Sequence, residues 1–142
     1  MKRFAGLLVP LVVLAAGCAT TPPPEEIGGE LPMEFQNVIA AEKFGAWAQS
    51  VGYTQAAGTL VVRTDRVEYA GKDKNIVISA EQILSVRRMQ PAAQTVRWIV
   101  VEYRDAGSTK AIAFYPKLIF MNPGLEERMY AAVKYVYDAL QH

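Results

Sequence analysis

The sequence predicts an α+β domain that is mainly β, built from short antiparallel strands and ending in one amphipathic helix. Three observations carry this. Between Gly58 and Pro116 apolar side chains recur at every second position in short runs, the period of a half-buried strand. The runs are separated by turn-forming residues: Asp65, the Gly71–Lys74 stretch and Gly107. Beyond Asn122 the period becomes helical, with Leu125, Met129, Val133, Val136 and Leu140 on one stripe.

The chain opens on "MKRFAGLLVPLVVLAAGC". Two cations precede a 13-residue apolar run, Phe4 to Ala16. That is short of the roughly 20 apolar residues a membrane-spanning helix needs. It has the three-part plan of a secretory leader. Its end, "AAGC", resembles the lipobox of bacterial lipoproteins, with Leu14 one place further from the cysteine than is usual. The resemblance implies that the Cys18 thiol receives a diacylglyceryl group, that residues 1–17 are cut away, and that the new amino terminus is a further acylation point. Ala19, in place of Asp, implies the periplasmic face of an outer membrane in an organism that has one, and a cell-envelope location otherwise.

Residues 18–34 read as a lipidated cysteine and a tether. Pro22, Pro23, Pro24 and Pro32 favour extended chain, Gly28 and Gly29 add a swivel, and Glu25, Glu26, Glu30 and Glu34 keep the segment solvated. The folded domain is then expected over 35–142. Its first stretch, 35–50, fits a short helix or an entry strand.

From there the strands follow in order. "TLVVRT" sets Leu60 and Val62 on one face; "RVEYA" turns Val67 and Tyr69 inward; "NIVIS" pairs Ile76 with Ile78. Asp65 is expected to bond nearby backbone amides in the turn between the first two. "AEQILSVRRM" offers Leu84 and Val86 and ends before Pro91, which cannot donate to a ladder. "TVRWIVVEYRD" is apolar on both faces, Val96, Trp98 and Val100 against Ile99, Val101 and Tyr103, as a central or covered strand would be. "AGST" forms a hairpin turn, and "KAIAFYP" returns with Ile112 and Phe114 inward. For the helix, Asn122 is the expected cap, Pro123 the first position, and Glu126 and Glu127 meet the positive end of its dipole.

The stretch "GTLVVRTDRVEYAGKDKNIVISAEQILSVRR", followed by the terminal helix, resembles the PH-like family, including GRAM and bacterial PH domains. Gly58, Thr59, Leu60, Thr64, Arg66 and Val67 carry the likeness. It implies an antiparallel curled barrel of about six or seven strands with the helix closing one end. It also implies that basic residues around the first hairpin, here Arg63, Arg66, Lys72 and Lys74, are the candidates for binding an anion or lipid headgroup. Another α+β sheet with a helix across one face remains the alternative.

Composition narrows the function. The one cysteine, Cys18, cannot form an internal disulfide or a multi-cysteine zinc site, and the one histidine is the terminal His142. Triads and imidazole metal sites lack their main component, and no glycine-rich phosphate loop or nucleophile elbow is present. No catalytic residue, cofactor or metal is therefore assigned. Loss of Lys2 and Arg3 with the leader leaves the chain within one charge of neutral, against nucleic-acid binding. Residues 43–121 hold 11 Lys or Arg and 6 Asp or Glu; with acids interleaved, a mixed-charge wall is the commoner outcome. Tyr130, Tyr135 and Tyr137 read as helix rings covering core with wet hydroxyls, or as a protein-binding face. The resulting expectation is a lipid-anchored, non-enzymatic envelope module that binds a protein or peptide, with lipid or small-anion binding as the alternative.

Overall fold

The computed structural model describes residues 24–42, 56–90, 97–117 and 124–141. Helix α1 (Pro24–Glu30) is followed by strands β1 (Met33–Ala41), β2 (Gly58–Val62), β3 (Arg66–Ala70) and β4 (Asn75–Ser79). A one-turn 3-10 helix (Ala80–Gln82) leads to β5 (Ile83–Met89), β6 (Trp98–Asp105) and β7 (Ser108–Pro116), and helix α2 (Leu125–Asp138) ends the fold. The seven strands form one antiparallel sheet in the order β4-β3-β2-β1-β7-β6-β5. The sheet curls without closing. Its two edges, β4 and β5, are consecutive in the chain and are joined at one corner by the 3-10 turn.

Strand β1 explains the curl. Met33–Phe35 pair with β2, then the register slips and Val38–Ala41 pair with β7. At the slip Asn37 takes a left-handed φ of 56°, one extra residue that bends and twists the strand. The Tyr69 hydroxyl donates to Val38 O at 3.0 Å, and the Lys117 amide donates to Asn37 O at 2.8 Å. Gly58, opposite Val38, lies beneath the Tyr69 ring. A Cβ there would meet the Ala70 carbonyl oxygen and sit 2.7 Å from the phenol oxygen.

Two apolar clusters result. The inner one gathers Phe35, Leu60, Val67, Ile78, Ile99, Phe114 and others under α2, whose Met129, Val133 and Val136 are fully buried. The second lies on the opposite face of β1, β6 and β7: Ile39, Ala41, Trp98, Val100, Ala113 and Tyr115. The two apolar faces expected of β6 are both buried. At the β6–β7 hairpin Asp105 pairs with Ser108, and Ala106 and Gly107 have φ of 49° and 81°. That is the two-residue turn whose twist suits a hairpin.

Several expectations are corrected. Residues 24–34 are not tether: α1 forms despite two glycines because Ile27 is 2% exposed, inserted in the core beside α2. Burying it contributes about 1.5–3 kcal/mol, comparable to the roughly 2 kcal/mol that two glycines together cost a helix. Arg128 fixes the pair with an ion pair to Glu30 at 3.0 Å. Of the two alternatives for 35–50, the described residues through Ala41 are strand. In β5 a register slip between Ile83 and Ser85 puts Ile83 in the core and leaves Leu84 38% exposed. Helix α2 starts at Leu125 with Gly124 as its cap residue and ends at Asp138, so Leu140 lies beyond it and is exposed. Asp65 receives the Arg66 guanidinium at 2.9 Å, while its carbonyl accepts from the Ala80 amide. Residues 1–23, Trp47, Pro91, Val96, Asn122, Pro123 and His142, and with them Cys18 and the leader, lie outside the described residues.

Two substitutions test the β1 slip by urea denaturation. Asn37 is exposed, so Asn37→Val acts through the backbone and should cost about 1–2 kcal/mol, while Asn37→Gly should be neutral or better. Gly58→Ala should cost on the order of 2–3 kcal/mol, because one of the atoms its Cβ meets belongs to backbone that cannot swing away.

Candidate functional site

The four predicted anion-binding cations do not converge. Arg63 and Arg66 flank the β2–β3 turn, and Lys72 and Lys74 stand in the β3–β4 turn. Those turns lie beyond opposite ends of β3, whose five residues span about 14 Å at 3.4 Å per residue. Arg66 and Glu68 are two apart on one strand and share a face. Arg66 Nε donates to Glu68 Oε1 at 2.6 Å, and Arg63 Nε lies 3.2 Å from the same oxygen. The Arg66 hydrogen bond holds the Glu68 carboxyl below its ordinary range, and the same bond raises the guanidinium. Both arginines are thus engaged by carboxylates of their own hairpin.

Lys72 is exposed and has no ion pair among the described residues, while Lys74 reaches Glu42 at 3.7 Å. They border a cleft of about 120 Å³ with Tyr69, Gly71, Asp73 and Ala40. This is below the roughly 300–1,000 Å³ of ordinary small-molecule sites. Burial raises the Tyr69 phenol above its usual value, though backbone groups at Ala40 and Gly58 act the other way.

Next to this turn lies the β4 edge. Val77, at its centre, is 62% exposed. The direction of the strand's backbone groups follows from its two ends. Gly71 N–H donates to Lys74 O at 2.7 Å, and Ala80 N–H donates to Asp65 O at 2.8 Å. With β3 and β4 in register between those bonds, alternation aims the amides and carbonyls of Ile76 and Ile78 at β3. Those of Asn75 and Val77 point away from the sheet. On the outer face a shallow trough of about 270 Å³ runs beside Val77, lined by Thr59, Val61, Glu68, Ala70 and Asn75.

A second polar cluster joins α2 to the opposite edge. Glu126 is 4% exposed. Arg88 of β5 lies over the Tyr130 ring at 4.1 Å and brings Nε to 3.2 Å from Glu126 Oε1. Sequence reasoning placed Glu126 only as a helix-dipole partner; no local pattern marks its burial, since Arg88 is distant in the chain. Burial raises the Glu126 carboxyl against the pull of Arg88 and Arg97, with Glu127 adding to the rise. No group of three or more metal-ligating side chains occurs among the described residues, and no described helix is long and apolar enough to cross a membrane.

Comparison with family models gives no match to this chain, and comparison with curated proteins gives none either.

The Glu126 environment gives a signed pH dependence. A carboxyl whose folded pKa is raised binds its proton more tightly folded than unfolded. Its contribution to stability is therefore present at low pH and is lost as pH rises through the folded pKa. Glu126→Gln removes that dependence. Urea midpoints of the two proteins, compared from about pH 7 down to about pH 4, should show the parent gaining on the variant as pH falls. A parent that loses ground on acidification would mean the Arg88 pair outweighs burial.

Proposed function

We propose that this chain is a lipid-anchored, non-enzymatic binding module of the cell envelope that holds an extended segment of another protein or peptide on the β4 edge. The observation that carries the reading is that edge. Among the described residues it leaves the backbone groups of Asn75 and Val77 without a strand partner, exposes the Val77 side chain, and has neither charge nor proline within Asn75–Ser79. Soluble proteins ordinarily shield such edges, and strand addition is a standard way to recognise extended chain. A curled antiparallel sheet of seven strands followed by a terminal helix is the kind of arrangement the PH-like resemblance implies, although the sheet is not closed.

The anchor is Cys18, through the lipobox-like leader, on the periplasmic face of an outer membrane where there is one. Two or more acyl chains make such attachment stable. The described residues begin at Pro24, and the chain between it and Cys18 reaches at most about 20 Å even fully extended. The module would sit close against the lipid surface. The lipid or small-anion alternative contracts to Lys72 and Lys74, because Arg63 and Arg66 are engaged with Glu68 and Asp65.

Two measurements test this. Mass spectrometry of the protein extracted from membranes should find residues 1–17 gone and acyl mass on Cys18; a bare Cys18 or a retained leader overturns the location. Cross-linking in intact envelopes should recover a defined protein with the parent chain and lose it with Val77→Pro and with Val77→Lys. Both changes fall on an outward-facing edge position that tolerates them, as circular dichroism would check. Undiminished recovery with both variants rules out the β4 edge.

A further inference from the structure

The β4 edge is complementary to itself. Val77 is the middle residue of Asn75–Ser79, with isoleucine on each side and a small polar residue at each end. Its amide and carbonyl both point outward. Two copies related by a two-fold axis through this position would form an antiparallel pair in which Val77 faces Val77 and exchanges both hydrogen bonds. Asn75 would then face Ser79 of the second copy. Ser79 brings its carbonyl to this pairing, its N–H being donated to Gln82 Oε1 at 2.9 Å.

In this register the Lys72–Asp73–Lys74 turn of one copy, with one net positive charge, comes against the exposed Glu81 turn of the other, and the symmetry repeats the contact; Asp73 falls opposite Glu81, so the attraction comes from the two flanking lysines. Val77 is covered by Val77, and the half-buried Ile76 comes opposite Ile78. We propose that the extended segment received by the β4 edge is the β4 strand of a second copy of this chain, paired across a two-fold axis at Val77. This rests on the edge-docking reading and names its partner. A pair of five-residue strands is a small interface, of the kind that is weak in solution. Confinement of both copies to one membrane face raises their effective concentration.

The test is disulfide trapping of the full chain in membranes under mild oxidation. Val77→Cys should cross-link to itself, since facing residues of such a pair lie within disulfide reach. Asn75→Cys should not, because the two-fold sets the two copies of that residue about 14 Å apart along the strands. A mixture of Asn75→Cys and Ser79→Cys chains should cross-link. Glu81→Lys in the Val77→Cys chain should slow trapping about three- to tenfold, with recovery against a copy carrying Lys72→Glu and Lys74→Glu. No trapping at Val77→Cys, or equally fast self-trapping at Asn75→Cys, overturns the two-fold pairing. If trapping fails while Val77→Pro still abolishes capture of a different protein, the edge-docking reading stands and only its partner is wrong.

Discussion

The architecture depends on one irregularity in β1, the extra residue at Asn37. Before it the strand alternates, with Met33 and Phe35 buried and Glu34 and Gln36 exposed. After it, Val38 to Ala41 are buried on both faces. The slip hands β1 from β2 to β7, so a single strand belongs to both halves of the curled sheet. Tyr69 holds the slip from β3 through Val38 O, and its ring lies 5.9 Å from Phe114 of β7. The position of the slip therefore decides which outer faces are covered. The β1–β7–β6 half carries a second apolar cluster on its outer face, while β2, β3 and β4 keep Thr59, Val61, Ala70 and Val77 at or near the surface.

What was legible in the sequence is what local period encodes. Val67 and Tyr69, the two faces of β6, the turn at Gly107 and the buried stripe of α2 follow from spacing alone. What was not legible depends on distant partners. Helix α1 has the composition of a spacer, and only Ile27 meeting α2 makes it part of the fold. Leu84 and Ile83 exchanged places because a register slip inverts the side-chain pattern on one side of it. Leu140 continued a helical spacing past the point where the helix ends. Strand order is equally non-local, so nothing in "NIVIS" announced that it would be an edge.

The candidate site divides in the same way. The Arg66–Glu68 pair was readable, since residues two apart on a strand share a face. A cation with a carboxylate beside it is a poor lone anion receptor. The exposure of Lys72 agrees with the turn read at Gly71–Lys74, whereas the burial of Glu126 was not readable. That burial follows from how the sheet places the start of α2 against Arg88. The positive balance of the central region is partly dispersed among local pairs such as Lys110–Asp105 at 2.6 Å and Arg87–Glu102 at 3.6 Å. Exposed pairs of this kind contribute little to stability; their effect here is to offset part of the region's surface field.

These facts bear together on where recognition can occur. The β5 edge lies beside α2, tied to it by Arg88, Glu126 and Tyr130, and opening it would separate a buried carboxylate from its nearest cation. Such separation is costly because a buried charge is left uncompensated. Among the described residues the β4 edge has no comparable attachment to a helix, and its exposed centre is a valine. Adding a strand there removes apolar surface from water and satisfies backbone groups without breaking an existing contact. An open sheet with one edge tied down and the other bare among the described residues has an asymmetry that a closed barrel could not have. In this fold that asymmetry traces back to the slip in β1 and to the single 3-10 turn that carries the chain from one edge to the other.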